Sequence, residues 1–157
     1  LNDARAANTQ AINDLRGLVY GLRPPALDEL GLIGALRAHA DSIARSANTE
    51  IVLEAGELPP LPAAAEVATY RVVTEAINNA IRHGHAQRCH IEIRVDRDSL
   101  ILEVCDNGHS TNPWEPGVGL NTMRERIAEL GGHLTAGPNH CGATVRAVVP
   151  LTPASKP

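Results

Sequence analysis

The chain has 157 residues and a formal net charge of −4, with 43% hydrophobic and 20% charged residues. This balance predicts a folded domain with a substantial core, and the charge gives no general reason to bind nucleic acid or an anionic membrane. No signal peptide is recognisable, and no apolar run approaches the roughly 20 residues that span a bilayer. Three cysteines without CxxC spacing favour a reducing cytoplasm over a disulfide framework.

The N-terminal segment predicts two helices separated by a proline hinge. Apolar residues at helical spacing from Ile12 to Leu22 form the first stripe, which stops at Arg23 because a residue before proline avoids helical dihedral angles. A second helix is expected from about residue 31 to 46. Because the helical pattern already includes Leu1, with neither a start signal nor an initiating Met, the sequence is expected to be a piece of a longer protein.

The rest of the chain alternates helix and strand patterns. A 3.6-residue apolar period predicts one strong helix that runs from Val67 to Gly84. The other predicted elements are strands at 51–54, 91–95, 100–104, 133–136 and 143–151 and a helix at 120–130. So many neighbouring hairpins argue against a fully parallel sheet. The expected fold class is α/β, a two-layer α/β sandwich with a mixed sheet and helices on one face.

Polar residues share one face of the strong helix, opposite its apolar stripe. Glu75, Asn79 and His83 are four residues apart, and Arg82 lies beside them. The carboxamide oxygen of Asn79 suits Mg²⁺, which takes few protein ligands together with substrate phosphates, and Arg82 could meet a phosphate oxygen. The alternative is a solvated helix face with a hydrogen bond between residues four apart.

The stretch CDNG places Asp106 at the end of a predicted strand, two residues before Gly108. A carboxylate here can accept the exocyclic amine proton of adenine and would repel the carbonyl that guanine offers. Gly108 would let a flat base lie against the backbone. The alternative is an ordinary turn, because Asp-Asn-Gly is a strong turn sequence.

Two glycines stand at the start of the helix at 120–130, in the stretch GVGLNTMRER. The amides around Gly117 and Gly119 could form a phosphate nest at the positive end of that helix, and the alternative is a flexible loop before a core helix. Further on, Thr144 offers a hydroxyl at the start of the last strand, where a β-favouring residue after the hairpin glycine Gly142 is the plainer interpretation.

In this order the four signals resemble the ATP-binding domain shared by DNA gyrase, the heat-shock chaperone ATPases, the mismatch-repair ATPases and the histidine kinases, which has a Bergerat-type fold. EAINNAIRHG and GVGLNTMRERIAELGG look like the sensor histidine kinases that partner NarL-type response regulators. LRGLVYGLRPPALDELGLIGAL resembles the segment that joins their second dimerisation helix to the catalytic domain. The resemblance implies a dimerisation-helix end at 1–23, a linker at 24–30, a catalytic domain at 31–151 and a tail at 152–157.

The resemblance also implies a site for ATP and Mg²⁺. Asn79 would ligate the Mg²⁺ with Glu75 as its polar companion, and these two residues would be catalytic. The implied ATP-binding residues are Asn79, Arg82, His83, Asp106, Gly108, Gly117, Gly119, Leu120 and Thr144. Such kinases transfer the γ-phosphoryl group of ATP to a histidine, for relay to a response regulator.

The chain departs from the family pattern in two places. The family commonly continues Asp-x-Gly-x-Gly, whereas Ser110 stands where the second glycine falls. None of the seven histidines has the context of the phosphoacceptor, which is therefore expected outside this sequence, in the protein's own dimerisation domain. The whole protein is expected to be a homodimer, and this chain a cytoplasmic piece that dimerises weakly or not at all and does not contact nucleic acid directly. Membrane anchoring of the whole protein stays open.

Three other functions match parts of the pattern. A catalytically degenerate module would bind nucleotide only to set the conformation of a longer protein, and Ser110 favours it. An anti-sigma-factor-type serine kinase shares the superfamily, although the LRP segment argues against it. His83, His85, Cys89 and His90 could hold zinc, but a strand through residues 89–95 would point Cys89 and His90 to opposite faces.

Overall fold

Helices and strands follow the order that the sequence predicts. The computed structural model describes residues 3–8, 10–11, 22–109 and 118–152. Its helices are α1 (Pro25–Ala47), α2 (Ala63–Arg82) and α3 (Val118–Glu129), and its strands are β1 (Glu50–Ala55), β2 (Arg88–Asp96), β3 (Ser99–Asp106), β4 (His133–Pro138) and β5 (Ala143–Pro150). Residues 3–8 and 10–11 are helical as well, and residues 12–21 of the predicted first helix lie outside the described part.

The strands form one mixed sheet in the order β1-β2-β3-β5-β4. β1 pairs in parallel with β2, and the other neighbouring strands pair antiparallel. The parallel pair needs a crossover connection, which α2 provides, whereas β2 and β3 join through a tight turn. In that turn Arg97 adopts a φ of 55°. The predicted mixed sheet is therefore confirmed.

One face of the sheet shares its main core with α1, α2 and α3. Alternate strand residues such as Ile91, Leu102 and Ala147 have no exposed surface, and they belong to the same buried cluster as Val73 and Ile77 of α2. Removing such apolar side chains from water is the main stabilising term, about 25 cal/mol per Å². The predicted sandwich, with its helices on one face, is confirmed.

The other face of the sheet is polar. It carries ion pairs between neighbouring strands, including Arg88 with Glu50 (2.8 Å) and Arg146 with Glu103 (3.1 Å). These side chains are largely exposed, so each pair contributes little to stability. Among the described residues, no helix has the length and apolar character needed to cross a bilayer.

α1 differs from its predicted start. Residues 25–30, predicted as linker, are helical, and the helix kinks at Gly31, where φ is 69° and ψ is 174°. Pro25 can begin the helix because the first helical position needs no N–H partner, and Gly31 accepts the left-handed φ because it has no Cβ. Gly31 therefore separates a short helical stretch at 25–30 from the helix that the sequence predicts to begin at about this glycine.

Candidate functional site

The polar side of α2 carries four of the predicted residues. Glu75 and Asn79 are half-buried, whereas Arg82 and His83 at the end of the helix are exposed. The main-chain carbonyl of Asn79 accepts hydrogen bonds from the N–H groups of His83 (3.0 Å) and Gly84 (3.3 Å), which closes the last turn. The structure thus keeps the predicted spacing and leaves Arg82 and His83 accessible to a ligand.

Three glycines bring main chains into contact next to this helix end. A Cβ atom on Gly108 would lie 2.6 Å from the carbonyl oxygen of Gly84, and one on Gly142 would lie 2.9 Å from the nitrogen of Gly108. Side chains do not tolerate such approaches, so these positions require glycine. The His109 N–H also donates to the Gly84 carbonyl at 2.7 Å. The end of α2, the end of β3 and the start of β5 therefore meet at one point.

The carboxylate of Asp106 lies in this glycine cluster. Its Oδ1 accepts the Gly108 N–H at 2.8 Å, and the backbone of Ala143 also hydrogen-bonds to it. Burial raises the pKa of Asp106, and these two backbone hydrogen bonds act in the opposite direction. Alternation along β3 places Asp106 on the same side as buried Val104, toward the helices. A carboxylate has about four acceptor positions, so capacity remains for a ligand N–H.

α3 begins against α2. A Cβ atom on Gly119 would overlap the carboxylate of Glu75, 2.6 Å from its Cδ. Glycine thus lets the first turn of α3, whose N–H groups have no partner within the helix, approach the polar side of α2. Leu120 is 4% exposed and packs in the core below, while Gly117 and Ser110 lie outside the described residues.

The two contacts with α2 are separated along the helix direction. Gly119 meets α2 at Glu75, and Gly108 meets its end at Gly84, nine residues later. At a rise of 1.5 Å per residue, the helical part of this separation, from Glu75 to Arg82, is about 10 Å, and Asn79 lies between the two points. The arrangement suits an extended ligand with an amine-bearing flat group at one end and an anion at the other.

Among the predicted site residues that the structure describes, Thr144 lies on a different face of the sheet from Asp106. It alternates with buried Val145 along β5 and so lies on the face of the sheet opposite the helices. Its hydroxyl lies 3.5 Å from the sulfur of Cys105 and accepts a hydrogen bond from Nδ2 of Asn139. The neighbouring Ala143 is the residue that pairs with Asp106. The side chain of Thr144, which the resemblance lists among the ATP-binding residues, thus lies on the sheet face opposite Asp106, and the backbone of Ala143 contacts that carboxylate.

Sequence patterns alone miss three residues that build this site. The sequence indicates Gly84 only as the end of a helix and Gly142 only as a hairpin glycine. Ala143 has no polar side chain that would mark it as a site residue. Their importance comes from contacts between distant segments of the chain, which periodicity cannot reveal. A glycine two or three residues from each polar motif is the one hint that the sequence offers.

The zinc alternative gains no support. The described residues contain no group of three or more histidine, cysteine or acidic side chains that could hold a metal ion. Cys89 is fully buried, whereas His90 faces the outer side of the sheet, with its Nε2 3.3 Å from a carboxylate oxygen of Glu54. Alternation along β2 therefore separates the two side chains, as the sequence predicts.

Comparison with known proteins identifies the family. The family model for histidine kinase-, DNA gyrase B- and HSP90-like ATPases matches residues 64–153, which run from α2 to just beyond β5. The chain therefore belongs to this family of ATPases. The matched range contains the contacts of Gly84, Gly108, Gly119 and Gly142 described above.

Two curated relatives are named as histidine kinases. The chain is 35% identical over 147 residues to the sensor histidine kinase MctS of Rhizobium johnstonii, covering 89% of this chain and 32% of that protein. It is 29% identical over 158 residues to the signal transduction histidine-protein kinase/phosphatase DegS of Brevibacillus brevis, covering 97% of this chain and 41% of that protein. The chain thus spans well under half the length of these relatives.

Solved histidine kinases share the fold. The Acinetobacter baumannii histidine kinase AdeS matches with a TM-score of 0.68 at 16% identity, over 96% of this chain and 82% of that one. The histidine kinase domain of the blue-light activated kinase EL346 from Erythrobacter litoralis matches with a TM-score of 0.60 at 21% identity, over 74% and 59% of the two chains. These similarities confirm the predicted α/β sandwich fold.

Proposed function

We propose that this chain is the Mg-ATP-binding catalytic domain of a sensor histidine kinase. The observation that carries the proposal is the half-buried Asp106 carboxylate, which two backbone hydrogen bonds hold within a cluster of glycines at the end of α2. Membership of the ATPase family and the names of the relatives MctS and DegS support the same assignment.

The adenine end of the proposed site is formed by Asp106 and Gly108. The carboxylate would accept the exocyclic amine of adenine, and the absence of a side chain at Gly108 would let the base lie against the backbone. Guanine would present a carbonyl to the same oxygen, and an unpaired buried polar group costs about 1–3 kcal/mol. The site should therefore select ATP over GTP.

The phosphate end is formed by α2 and the start of α3. The half-buried carboxamide of Asn79 suits Mg²⁺, which keeps most of its waters and takes few protein ligands. When bound, Mg²⁺ neutralises charge on the phosphates. Glu75 lies beside Gly119 as the polar companion, and Arg82 and His83 are accessible to phosphate oxygens. The amides near Gly117 and Gly119 would complete this end, with Leu120 anchoring the helix.

In the whole protein, the bound ATP would phosphorylate a histidine of the dimerisation domain. The bridging P–O bond to the γ-phosphorus breaks, a P–N bond to the imidazole forms and ADP leaves, so positioning and charge neutralisation supply most of the catalysis. We propose a homodimeric kinase whose catalytic domain works in the cytoplasm and whose phosphoryl group passes to a NarL-type response regulator. Neither the phosphorylation of the histidine nor the transfer to the response regulator requires contact between this domain and nucleic acid.

Calorimetric titration of ATP and GTP with Mg²⁺ tests the nucleotide site. ATP should bind in preference to GTP and only weakly without metal. Asp106→Ala should weaken ATP binding by about tenfold or more, because hydrogen bonds to charged groups contribute roughly 1.5–3 kcal/mol. Asn79→Ala should weaken it by about as much, because it removes the proposed Mg²⁺ ligand. Asn78→Ala, one residue away on the same helix, is the matched control and should bind like the parent.

Two results would change the proposal. Failure of the parent chain to bind ATP would exclude the nucleotide site. Tight ATP binding without phosphohistidine, when the dimerisation domain is supplied as a separate chain, would instead favour the nucleotide-binding module without kinase activity, for which Ser110 is the sequence signal.

A further inference from the structure

Asn107 lies between the two residues of the proposed adenine end, and its side chain bonds to another strand. Its Oδ1 accepts the main-chain N–H groups of Gln87 at 3.0 Å and Arg88 at 2.9 Å. Its own N–H donates to the Arg88 carbonyl at 3.2 Å. Three hydrogen bonds from one exposed residue thus join the end of β3 to the start of β2.

The Asn107 side chain replaces a main-chain acceptor of the sheet. The antiparallel pairing of β2 and β3 ends at Asp106, and the next pair would be Arg88 with Asn107. In a regular ladder the Arg88 N–H would bond to the main-chain carbonyl of Asn107. It bonds to Oδ1 instead, so the chain can leave the sheet directly after Asp106 without leaving that N–H unpaired.

This exit sets the path of the main chain that holds Asp106. Directly after Asn107, the Gly108 backbone packs on Gly84 and its N–H reaches Oδ1 of Asp106 at 2.8 Å. A different exit from the sheet would move that N–H and turn the carboxylate. The direction of the Asp106 carboxylate therefore depends on the hydrogen bonds of the Asn107 side chain.

We infer that Asn107 is a positioning residue for adenine recognition, acting through Asp106 and Gly108 without touching the nucleotide. The inference rests on the proposed ATP site. The structure uses Asn107 Oδ1 as an acceptor of two N–H groups, so an aspartate, which has the same length and an acceptor oxygen at the same place, can replace it. Alanine cannot, because it leaves the N–H groups of Gln87 and Arg88 without that acceptor.

Two variants and two ligands test the inference. Asn107→Ala should weaken Mg-ATP binding about tenfold, because a misdirected Asp106 carboxylate would lose roughly one hydrogen bond to adenine. Asn107→Asp should bind within about threefold of the parent. Mg-tripolyphosphate lacks the base. Its affinity, measured by competition with ATP, should be equal for the parent, Asn107→Ala and Asn107→Asp. Amide hydrogen exchange at Gln87 and Arg88 should speed up in Asn107→Ala only.

Arg97→Val is the control for a general loss of stability. It puts a β-branched residue at a φ of 55° in the turn at the other end of the same hairpin, so it should lower the melting temperature and leave ATP affinity unchanged. If Asn107→Ala does not fold, Asn107→Ser, whose shorter side chain cannot reach both N–H groups, takes its place with the same expected result.

The outcomes separate this inference from the proposed function. Unchanged ATP affinity in Asn107→Ala, an equal loss in Asn107→Asp, or a parallel loss of tripolyphosphate affinity would each overturn the positioning role and leave the ATP site intact. Absence of ATP binding by the parent chain would overturn both. A tenfold loss confined to ATP and rescued by aspartate establishes the inference.

Discussion

At the scale of single residues, position in the sheet gives the three cysteines different chemistry. Cys89 is fully buried, and burial, with a smaller effect of the Asp106 charge, raises its pKa to about 11. Cys105 is half-buried on the outer face, where burial also raises its pKa. Cys141 is exposed in the loop before β5. The thiolate is the nucleophile, so Cys89 is protected from alkylation both by its burial and by the raised pKa that keeps it protonated.

Alkylation should therefore proceed in the order Cys141, Cys105, Cys89. At about pH 8 a thiol with a pKa of about 11 is ionised to about one part in a thousand, so Cys89 should react only when the chain unfolds. Timed iodoacetamide labelling followed by peptide mass spectrometry measures the order. Cys141→Ser should remove the fast phase, and rapid labelling of Cys89 in the folded protein would contradict its burial.

At the scale of secondary-structure elements, what the sequence predicts depends on how local the signal is. The apolar period of α2 and the alternation of β2 and β3 are properties of short windows, so these elements are predicted with nearly correct bounds. The helical stretch at 25–30 is not predicted, because Pro24-Pro25 indicates a hinge and the apolar pattern starts only at about Gly31. In the structure Pro25 begins a short helix, and the predicted helix follows the non-helical Gly31.

The site residues also differ in whether a local sequence pattern could predict them. The four-residue spacing of Glu75 and Asn79 follows from the helix period, so their shared side could be predicted. The packing of Gly84, Gly108 and Gly142 could not, since it depends on contacts between segments far apart in the chain. The face of Thr144 was obscured because the apolar run AVVP later in β5 hides the alternation that decides which side chains face the helices.

The placement of Thr144 on the outer face of β5 predicts a small effect of its removal. Thr144→Val loses the hydroxyl that contacts Cys105 and Asn139, which should cost about 0.5–1.5 kcal/mol of stability. ATP affinity should change by less than about threefold, because Asp106 lies on the other side of the sheet. Calorimetric titration next to Asp106→Ala makes the comparison. A loss as large as that of Asp106→Ala would restore Thr144 to the nucleotide site.

At the scale of the whole molecule, a half-buried histidine lies between helices α1 and α2. His39 of α1 meets Tyr70 of α2 edge to face, with 6.4 Å between the ring centroids. Its Nε2 is buried and has no hydrogen-bond partner among the described residues. Burial lowers the pKa of His39, so the packed helices accept the neutral ring better than the charged one.

The free energy of unfolding should therefore fall as the pH drops below the ordinary histidine value of 6.5. Above that pH the ring is neutral in both states. Below it the unfolded chain binds the proton more readily than the folded one, which favours unfolding until the lowered folded pKa is passed. The raised pKa of Asp106 acts in the opposite direction, over the pH range between its folded value and the ordinary aspartate value of 3.8, so the comparison with a histidine variant is needed to isolate His39.

Urea denaturation at about pH 7.5, 6.5 and 5.5 measures the effect. The midpoint should decrease toward the lowest pH in the parent chain and change much less in His39→Gln, whose side chain takes up no proton. His133→Gln, at an exposed position on β4, is the matched control and should follow the parent at each pH. If His39→Gln loses as much stability on acidification as the parent, the pH dependence arises elsewhere, and the half-buried histidine between α1 and α2 does not set it.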